Sequence, residues 1–476
     1  MAPPRTTTPR LTKIICTIGP ATWSSEGLRG LLDAGMDIAR LNMSHGDHPA
    51  HLRTIRNLKS LNKKLGNPVA LLMDLQGPEI RTGELSESID LKKGDVFYFS
   101  VLPGDAEART VHVNYQDLVR DLKRGDIVTV DNGLINLEVL AVEDHRLKCR
   151  VRDGGKLGSR KHVNLPGVHV NLPSITKKDR TDIQFAIEQD LDFIALSFVR
   201  GPEDVLEVRA LIEKAGGHQK LIAKIENREG VDNFDAILEV ADGIMVARGD
   251  LGVEVDLEEL PVIQRMIVRK CAIAGKPSIV ATHLLESMIE NPMPTRAEVT
   301  DVANAITEQA DAIMLSGETA TGVYPDRCVE ILDRIARRIE REPGLGFYSL
   351  RPPTTTQREH IARSACRLAD SMNAAGIIVV TRRGLFGQLV SSYRPARTPI
   401  YAFTNMSTSR RKLALLRGVV PFRMRLSNDP QKTIDLALAR IREQVQVAPG
   451  SKFVVVSDVR TTSGELVTSI QIRDAG

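Results

Sequence analysis

Apolar positions along this chain recur in two alternating textures. Short, nearly unbroken apolar runs rich in β-branched residues stand at KIICTIG (13–19), DIARLNM (37–43), VALLMDL (69–75), DFIALSF (192–198), LIAKIE (221–226), GIMVA (243–247), PSIVAT (277–282) and AIMLSG (312–317). Between most of them the spacing turns helical, as in PEDVLEVRALIEKAG (202–216) and PVIQRMIVRKCAIAG (261–275). Near-continuous apolar strands alternating with helices indicate parallel strands buried on both faces. Eight such units predict an α/β fold closed into a (β/α)8 barrel of the TIM type. A doubly wound sheet is the alternative, but it carries fewer strands and a glycine-rich turn, and no GxGxxG follows the first run.

One connection breaks the rhythm. Between the third run and a helix beginning near Thr176, the texture changes to SIDLKKGDVFYFS, KRGDIVTVDNG and INLEVLAVEDHRLKCRVRDGG. Short strands separated by Gly-Asp, Asn-Gly and Gly-Gly turns predict a small β-domain, inserted at the active-site end of the barrel. After Pro343 the pattern resets. RPPTTTQ (351–357) reads as a linker or helix lead-in, followed by helices alternating with AGIIVVT, TPIYAFT, VVPFRM and KFVVVSD, and a last short strand LVTSIQI. That is a separate α/β domain.

Composition narrows the function classes. The chain has 476 residues, and its 64 basic against 60 acidic residues leave a net charge of +4, too weak to predict a nucleic-acid or membrane partner. The basic stretch SRRKLALLR (409–417) reads as a solvated helix face. Five scattered cysteines without a CxxC pair indicate neither a disulfide framework nor a zinc site. MAPPRTTTPR (1–10) lacks the apolar core of a secretory signal, and no apolar run has membrane-spanning length, so a cytoplasmic location is expected.

The chemistry gathers at the ends of the apolar runs. Read in order, these ends carry Arg40, Asn42 and Ser44, then Asp74, Ser197, Lys224 and Glu226, Asp250, Thr282, and Ser316 and Glu318. In a (β/α)8 barrel all of them converge on one rim. Glu226 and Asp250 end adjacent strands, where two carboxylates suit a hard cation such as magnesium, or stand as ordinary charges at loop starts. Lys224 shares a strand face with Glu226; it suits a transferring phosphoryl group or an enolate oxygen, or else a structural Lys–Glu pair. Asn42, Ser44 and Asp74 offer oxygens for a second cation or for hydrogen bonds between loops. AGKPS (274–278) has no upstream P-loop glycine, which leaves Arg40 and Arg81 as candidate phosphate clamps.

Over nearly its whole length the chain resembles pyruvate kinases. The motifs are KIICTIGPAT, ARLNMSHG, GPEIRTG, NLPG, SFVR, KIENREG, DGIMVARGDLG, LLESM, PTRAEVTDVANAI and LSGETATGVYP. The resemblance implies phosphoryl transfer from phosphoenolpyruvate to ADP by a homotetramer. It also implies a barrel in two parts (1–77 and 173–345), an inserted β-barrel lid (78–172) and a C-terminal α/β regulatory domain (346–476). Glu226 and Asp250 match magnesium (or manganese) ligands, and Lys224 matches the lysine that stabilises the transferring group. Arg40 matches a phosphate contact, and Asn42, Ser44, Asp74 and the backbone of Leu75 match a potassium site. Thr282, Ser316 and Glu318 match positions near the enolate carbon; Ser197 and Gly249 match substrate-binding positions; Arg81 and Lys161 match positions facing the nucleotide. Glu79 matches the position whose glutamate accompanies potassium dependence. Leu75-Gln76 and His283-Leu284 depart from the usual Thr-Lys and Gln-Met. The turn TRRGLFG (381–387) lacks the hydroxyls that usually cradle an effector phosphate, so activation by fructose 1,6-bisphosphate is not expected and the effector stays open. A lyase on the same barrel would not need the lid, and a non-catalytic sensor would not need Lys224, Glu226 and Asp250 together.

Overall fold

The computed structural model describes residues 9–63, 68–103, 109–352, 355–445, 447–460 and 466–474, so the first eight residues of the N-terminal stretch read above lie outside them. Eight strands form the closed parallel barrel. They are β1 (Lys13–Thr17), β2 (Ile38–Asn42), β3 (Ala70–Asp74) and, beyond the insertion, β12 (Phe193–Leu196), β13 (Lys220–Ile225), β14 (Gly243–Ala247), β15 (Ser278–Ala281) and β16 (Ala312–Leu315). Each falls within a residue or two of its apolar run. Alternation explains why the runs are apolar on both sides. Ile15, Ile38, Leu72, Ile222 and Met314 fill the barrel, while Ile14, Ala39, Leu71, Ala223 and Ile313 pack outward against the helices.

The insertion holds β4 (Ile89–Leu91), β5 (Val96–Ser100), β6 (Thr110–His112), β7 (Ile127–Val130), β8 (Ile135–Val142), β9 (Arg146–Asp153), β10 (Gly155–Leu157) and β11 (Val163–Asn164). These short strands form the small inserted β-domain that the sequence predicts. Its strands make a six-stranded sheet, ordered β11-β7-β8-β9-β5-β6, and a two-stranded ribbon, β10-β4. Its edge strands are short: β6 and β11 span three and two residues. Segment 80–83 runs between these edges: Thr82 bridges Val113 beside β6 and Arg81 bridges His162 beside β11, while the Gly83 N–H donates to the His112 carbonyl at 2.7 Å and the Thr82 N–H to the Lys161 carbonyl at 2.8 Å.

Asp179 ties both stems of this insertion to the barrel. It closes the capping box of the helix Lys177–Glu188 with Thr176, and its Oδ1 accepts the Gly77 N–H at 3.1 Å. Buried completely, it holds the two chain crossings together.

The C-terminal sheet is ordered β19-β18-β17-β20-β21, from β17 (Gly376–Val380), β18 (Ile400–Thr404), β19 (Val419–Arg423), β20 (Lys452–Arg460) and β21 (Leu466–Asp474). The last strand spans nine residues and pairs along all of β20, longer than its sequence suggested. The basic stretch 409–417 is not a solvated face. Ala414 and Leu415 join the apolar cluster inside the barrel, Arg411 pairs with Asp192 at 2.7 Å and Asp190 at 2.9 Å, and Arg417 is buried. Charge alone suggested exposure, but the apolar residues between the charges needed a partner and found the barrel floor.

The five cysteines are free and buried. Among the described residues no helix is long and apolar enough to cross a membrane.

Candidate active site

At the carboxyl rim, one polar network runs across five neighbouring strand ends. Lys224 Nζ lies 2.8 Å from Glu226 Oε1 and 3.1 Å from Asp74 Oδ1, and donates to Ser197 Oγ at 2.7 Å. Arg40 continues the network, with Nε 2.7 Å from Asp74 Oδ2 and a terminal nitrogen donating to Thr17 Oγ1 at 2.8 Å. The two-residue period of β13 places Lys224 and Glu226 on one face, and barrel register sets Asn42 opposite Asp74.

All four charged groups are buried, which is tolerable only because they pair. Burial works against ionisation of Asp74, yet Lys224 and then Arg40 outweigh it and hold its pKa below the ordinary value. Burial likewise opposes the charge on Lys224, but Asp74 and Glu226 raise its pKa, so it stays an ammonium. Glu226 goes the other way: burial dominates, Lys224 opposes it, and nearby Asp250 adds repulsion, lifting it to about 7. Arg40 and Lys224 face the carboxyl groups of Asp74 and Glu226, and Asp250 adds a third carboxyl group with no Lys or Arg as its counter-charge among the described residues. His162, 3.5 Å from Asp250, does not supply it, because burial pushes the imidazole toward its neutral form.

This donor set fits a divalent cation. Two oxygen ligands with excess negative charge match an ion that completes its shell with water and substrate oxygens. Among the described residues no group of three or more His, Cys, Asp or Glu side chains could hold a metal without such help.

A model described as pyruvate kinase, barrel domain, matches residues 9–329, and one described as pyruvate kinase, alpha/beta domain, matches 359–469. The chain belongs to the pyruvate kinase family. It is similar to a pyruvate kinase of Dictyostelium discoideum, 42% identical over 98% of this chain and 94% of the relative. A pyruvate kinase of Geobacillus stearothermophilus is 45% identical over 94% of this chain and 78% of its own length. One from Clostridium acetobutylicum is 39% identical over 97% and 99%. The activity is that of the family, phosphoryl transfer from phosphoenolpyruvate to ADP in glycolysis, and like pyruvate kinases generally it depends on metal ions.

The remaining expected residues of this pyruvate kinase fold divide by what they touch. Thr282 lies at the end of β15 with φ +66, followed by His283 at φ +53, an uncommon backbone state for such residues. Gly249 N–H donates to Thr282 Oγ1 at 2.7 Å, and the Arg248 guanidinium donates to the Thr282 carbonyl at 2.5 Å while pairing with Asp301 at 2.7 Å. Glu318 is spent on backbone: its oxygens accept the N–H groups of Ser316 at 2.7 Å and Leu285 at 3.2 Å. Ser316 Oγ is buried without a partner among the described residues. Asn42 Oδ1 accepts the Ser44 N–H at 3.1 Å, and the Leu75 carbonyl accepts the Ser197 hydroxyl at 2.7 Å.

Arg81 and Lys161 are not drawn into the Lys224 network. Arg81 pairs with Glu79 at 2.6 Å, and Lys161 with Asp131 at 2.7 Å, both within the insertion. Asp131, Thr17, His162 and Arg248 escaped the sequence reading. Arg248 had a signal, a charge directly after the buried run GIMVA, but it was hidden inside an RGD tripeptide; Asp131 had none, because its partner lies thirty positions away in sequence.

Proposed function

We propose that phosphoryl transfer takes place over the carboxyl end of β13, with Lys224 neutralising the charge that develops on the moving group. What supports this reading is the network that joins Arg40, Asp74, Ser197, Lys224 and Glu226 across neighbouring strand ends. The phosphorus–oxygen bond of phosphoenolpyruvate breaks, a new one forms to the terminal phosphate oxygen of ADP, and the released enolate takes a proton at its methylene carbon. Arg40 orients the phosphate, held in place by Thr17 and Asp74. Lys224 is rigid because its three partners fix it before substrate arrives, the preorganisation that makes electrostatic stabilisation effective. Ser197 and the backbone at Gly249 border the substrate; Thr282 and Ser316 stand at the enolate side, and Glu318 holds their loops. Glu226 and Asp250 hold Mg2+ or Mn2+, which supplies positive charge shared between the two anionic substrates. Asn42, Ser44, Asp74 and the Leu75 carbonyl hold K+, because Glu79, paired with Arg81, brings no cation in its place.

The lid comprises 78–172 between barrel segments 1–77 and 173–345, with 346–476 as the C-terminal domain. It closes on the nucleotide as Arg81 and Lys161 exchange Glu79 and Asp131 for phosphate oxygens. The enzyme works as a cytoplasmic homotetramer on phosphoenolpyruvate and ADP, with neither nucleic acid nor membrane as partner, and its effector is not fructose 1,6-bisphosphate. Thr381, the one hydroxyl residue in the turn 381–387, already accepts the Gly384 N–H at 3.2 Å.

The test is pyruvate formation from phosphoenolpyruvate and ADP, with magnesium or a chelator, in potassium or tetramethylammonium chloride at matched ionic strength. Turnover is expected only with magnesium and to fall sharply without potassium. Equal rates in the two salts would remove the potassium assignment, and full activity in chelator the magnesium one.

A further inference from the structure

Where the C-terminal domain meets the lower rim of the barrel, buried charges are paired with care. Arg394 sets its two terminal nitrogens on Asp311 at 2.6 and 2.5 Å, and Arg10 reaches Asp37 at 2.9 Å and Asp333 at 3.0 Å. Among the described residues Lys13 has no carboxylate partner but donates to the Val419 carbonyl at 2.7 Å, whereas Arg417 has neither kind of partner. It is 5% exposed, its Nε has no hydrogen-bond partner, and among the described residues neither an ion pair nor a side-chain hydrogen bond engages its guanidinium.

The neighbouring carboxylates are already committed. Asp311 accepts the backbone N–H of Arg417 at 3.1 Å besides holding Arg394. Glu340 accepts the backbone N–H groups of Leu11 at 2.9 Å and Thr12 at 2.7 Å. Burial accordingly outweighs the help of Glu340 and Asp311, and the pKa of Arg417 is lowered. An arginine still keeps its proton, so this is a buried cation lacking its counterion.

It borders a cavity of about 230 Å³ walled by Gln309, Glu340 and Glu342 of the barrel and by Arg394, Arg397 and Arg417 of the C-terminal domain, with Glu342 already paired to Arg338 at 2.6 Å. Arg397 is exposed, donating to the Arg341 carbonyl at 2.8 Å. We propose that this cavity binds a small oxyanion of phosphate type, with the Arg417 guanidinium as its anchor and Arg397 as the second cation. Guanidinium matches phosphate geometry in a fork of two hydrogen bonds. The volume falls below the roughly 300–1,000 Å³ of pockets for larger ligands, which selects an anion of phosphate size over a nucleotide. The site is separate from the turn 381–387 and spans two domains, so its occupant would tie the C-terminal domain to the barrel.

The test is calorimetric titration of the full chain with inorganic phosphate, with and without saturating phosphoenolpyruvate to occupy the catalytic phosphate position. Wild type is expected to retain one phosphate site under phosphoenolpyruvate. Arg417→Gln should weaken that site at least tenfold while leaving the melting temperature without phosphate unchanged or higher, since the substitution removes an unpaired charge. Arg397→Gln, at an exposed position, should weaken it severalfold and covers the case in which Arg417→Gln does not fold. Phosphate binding that vanishes under phosphoenolpyruvate, or isotherms unchanged in the variants that fold, would overturn the assignment.

Discussion

The contacts that fix Lys224 in the fold are the same ones that would preorganise it for the chemistry proposed above. Replacing it by Met removes the cation from Asp74 and Glu226, but Asp74 keeps Arg40 and Glu226 keeps the Phe198 N–H at 2.7 Å. The expected outcome for Lys224→Met is a folded protein whose single-turnover rate falls by about 10²–10³-fold, the scale of losing one preorganised electrostatic group. Rapid-quench pyruvate formation beside far-UV circular dichroism reads both; a folded variant with a near wild-type rate would take Lys224 out of the chemistry. Glu226 carries a second prediction. Its pKa rises from the ordinary 4.5 to about 7, so between those values the folded state binds more protons than the unfolded. Stability of the metal-free enzyme should therefore decline as pH rises from about 4.5 through about 7, the direction required when the unfolded chain releases its proton first. Magnesium should reverse the decline, and Glu226→Gln should abolish it; urea titrations across that range measure all three.

Among the elements, the loops after strands carry the strain and the stems carry the rigidity. Phe198, Thr282 and His283 all have positive φ, and the first two are pinned by a neighbour: Glu226 on the Phe198 N–H, Arg248 on the Thr282 carbonyl. Strain at these positions persists because the surrounding contacts over-determine it. Gly77 begins the first stem with φ +74, and a Cβ there would lie 2.9 Å from Ser197 Cβ and 3.1 Å from Phe198 Cδ2. Gly77→Ala should cost at least about 1–2 kcal/mol from the left-handed backbone alone. Because it presses on Ser197, which holds Lys224, turnover should drop as well. Denaturant unfolding and steady-state kinetics test this together; a variant of unchanged stability would mean that the stem is looser than its contacts indicate.

In the whole molecule, the C-terminal domain is seated in the barrel floor rather than tethered beside it. Ala414 and Leu415 enter the barrel's apolar cluster, Lys13 Nζ donates to the Val419 carbonyl at 2.7 Å, and Asp311 holds Arg394. Asp311→Ala leaves the Arg394 guanidinium buried and unpaired, a loss of about 3–5 kcal/mol for a broken buried pair. Urea unfolding should show the midpoint shifting down, and the C-terminal domain separating from the barrel in the transition. A single transition at the wild-type midpoint would show that this pair contributes nothing to docking.

The sequence by itself determined the order of elements, the eight barrel strands, the C-terminal α/β unit and the residues at the strand ends, because burial on both faces and two-residue periodicity are written in local composition. Lys224 and Glu226 were legible for the same reason: charges ending an apolar run stand out without any knowledge of neighbours. Only the tertiary structure decided how those charges are shared. Arg40 meets Asp74, Lys161 meets Asp131, and 409–417 plugs the barrel instead of facing water, since each pairing joins residues far apart in the chain. It also decided that Glu226 rises while Asp74 falls, although both are buried carboxylates beside Lys224. The difference is the company each keeps across strands, Arg40 for one and Asp250 for the other, and Coulomb energies depend on distances that only barrel closure sets.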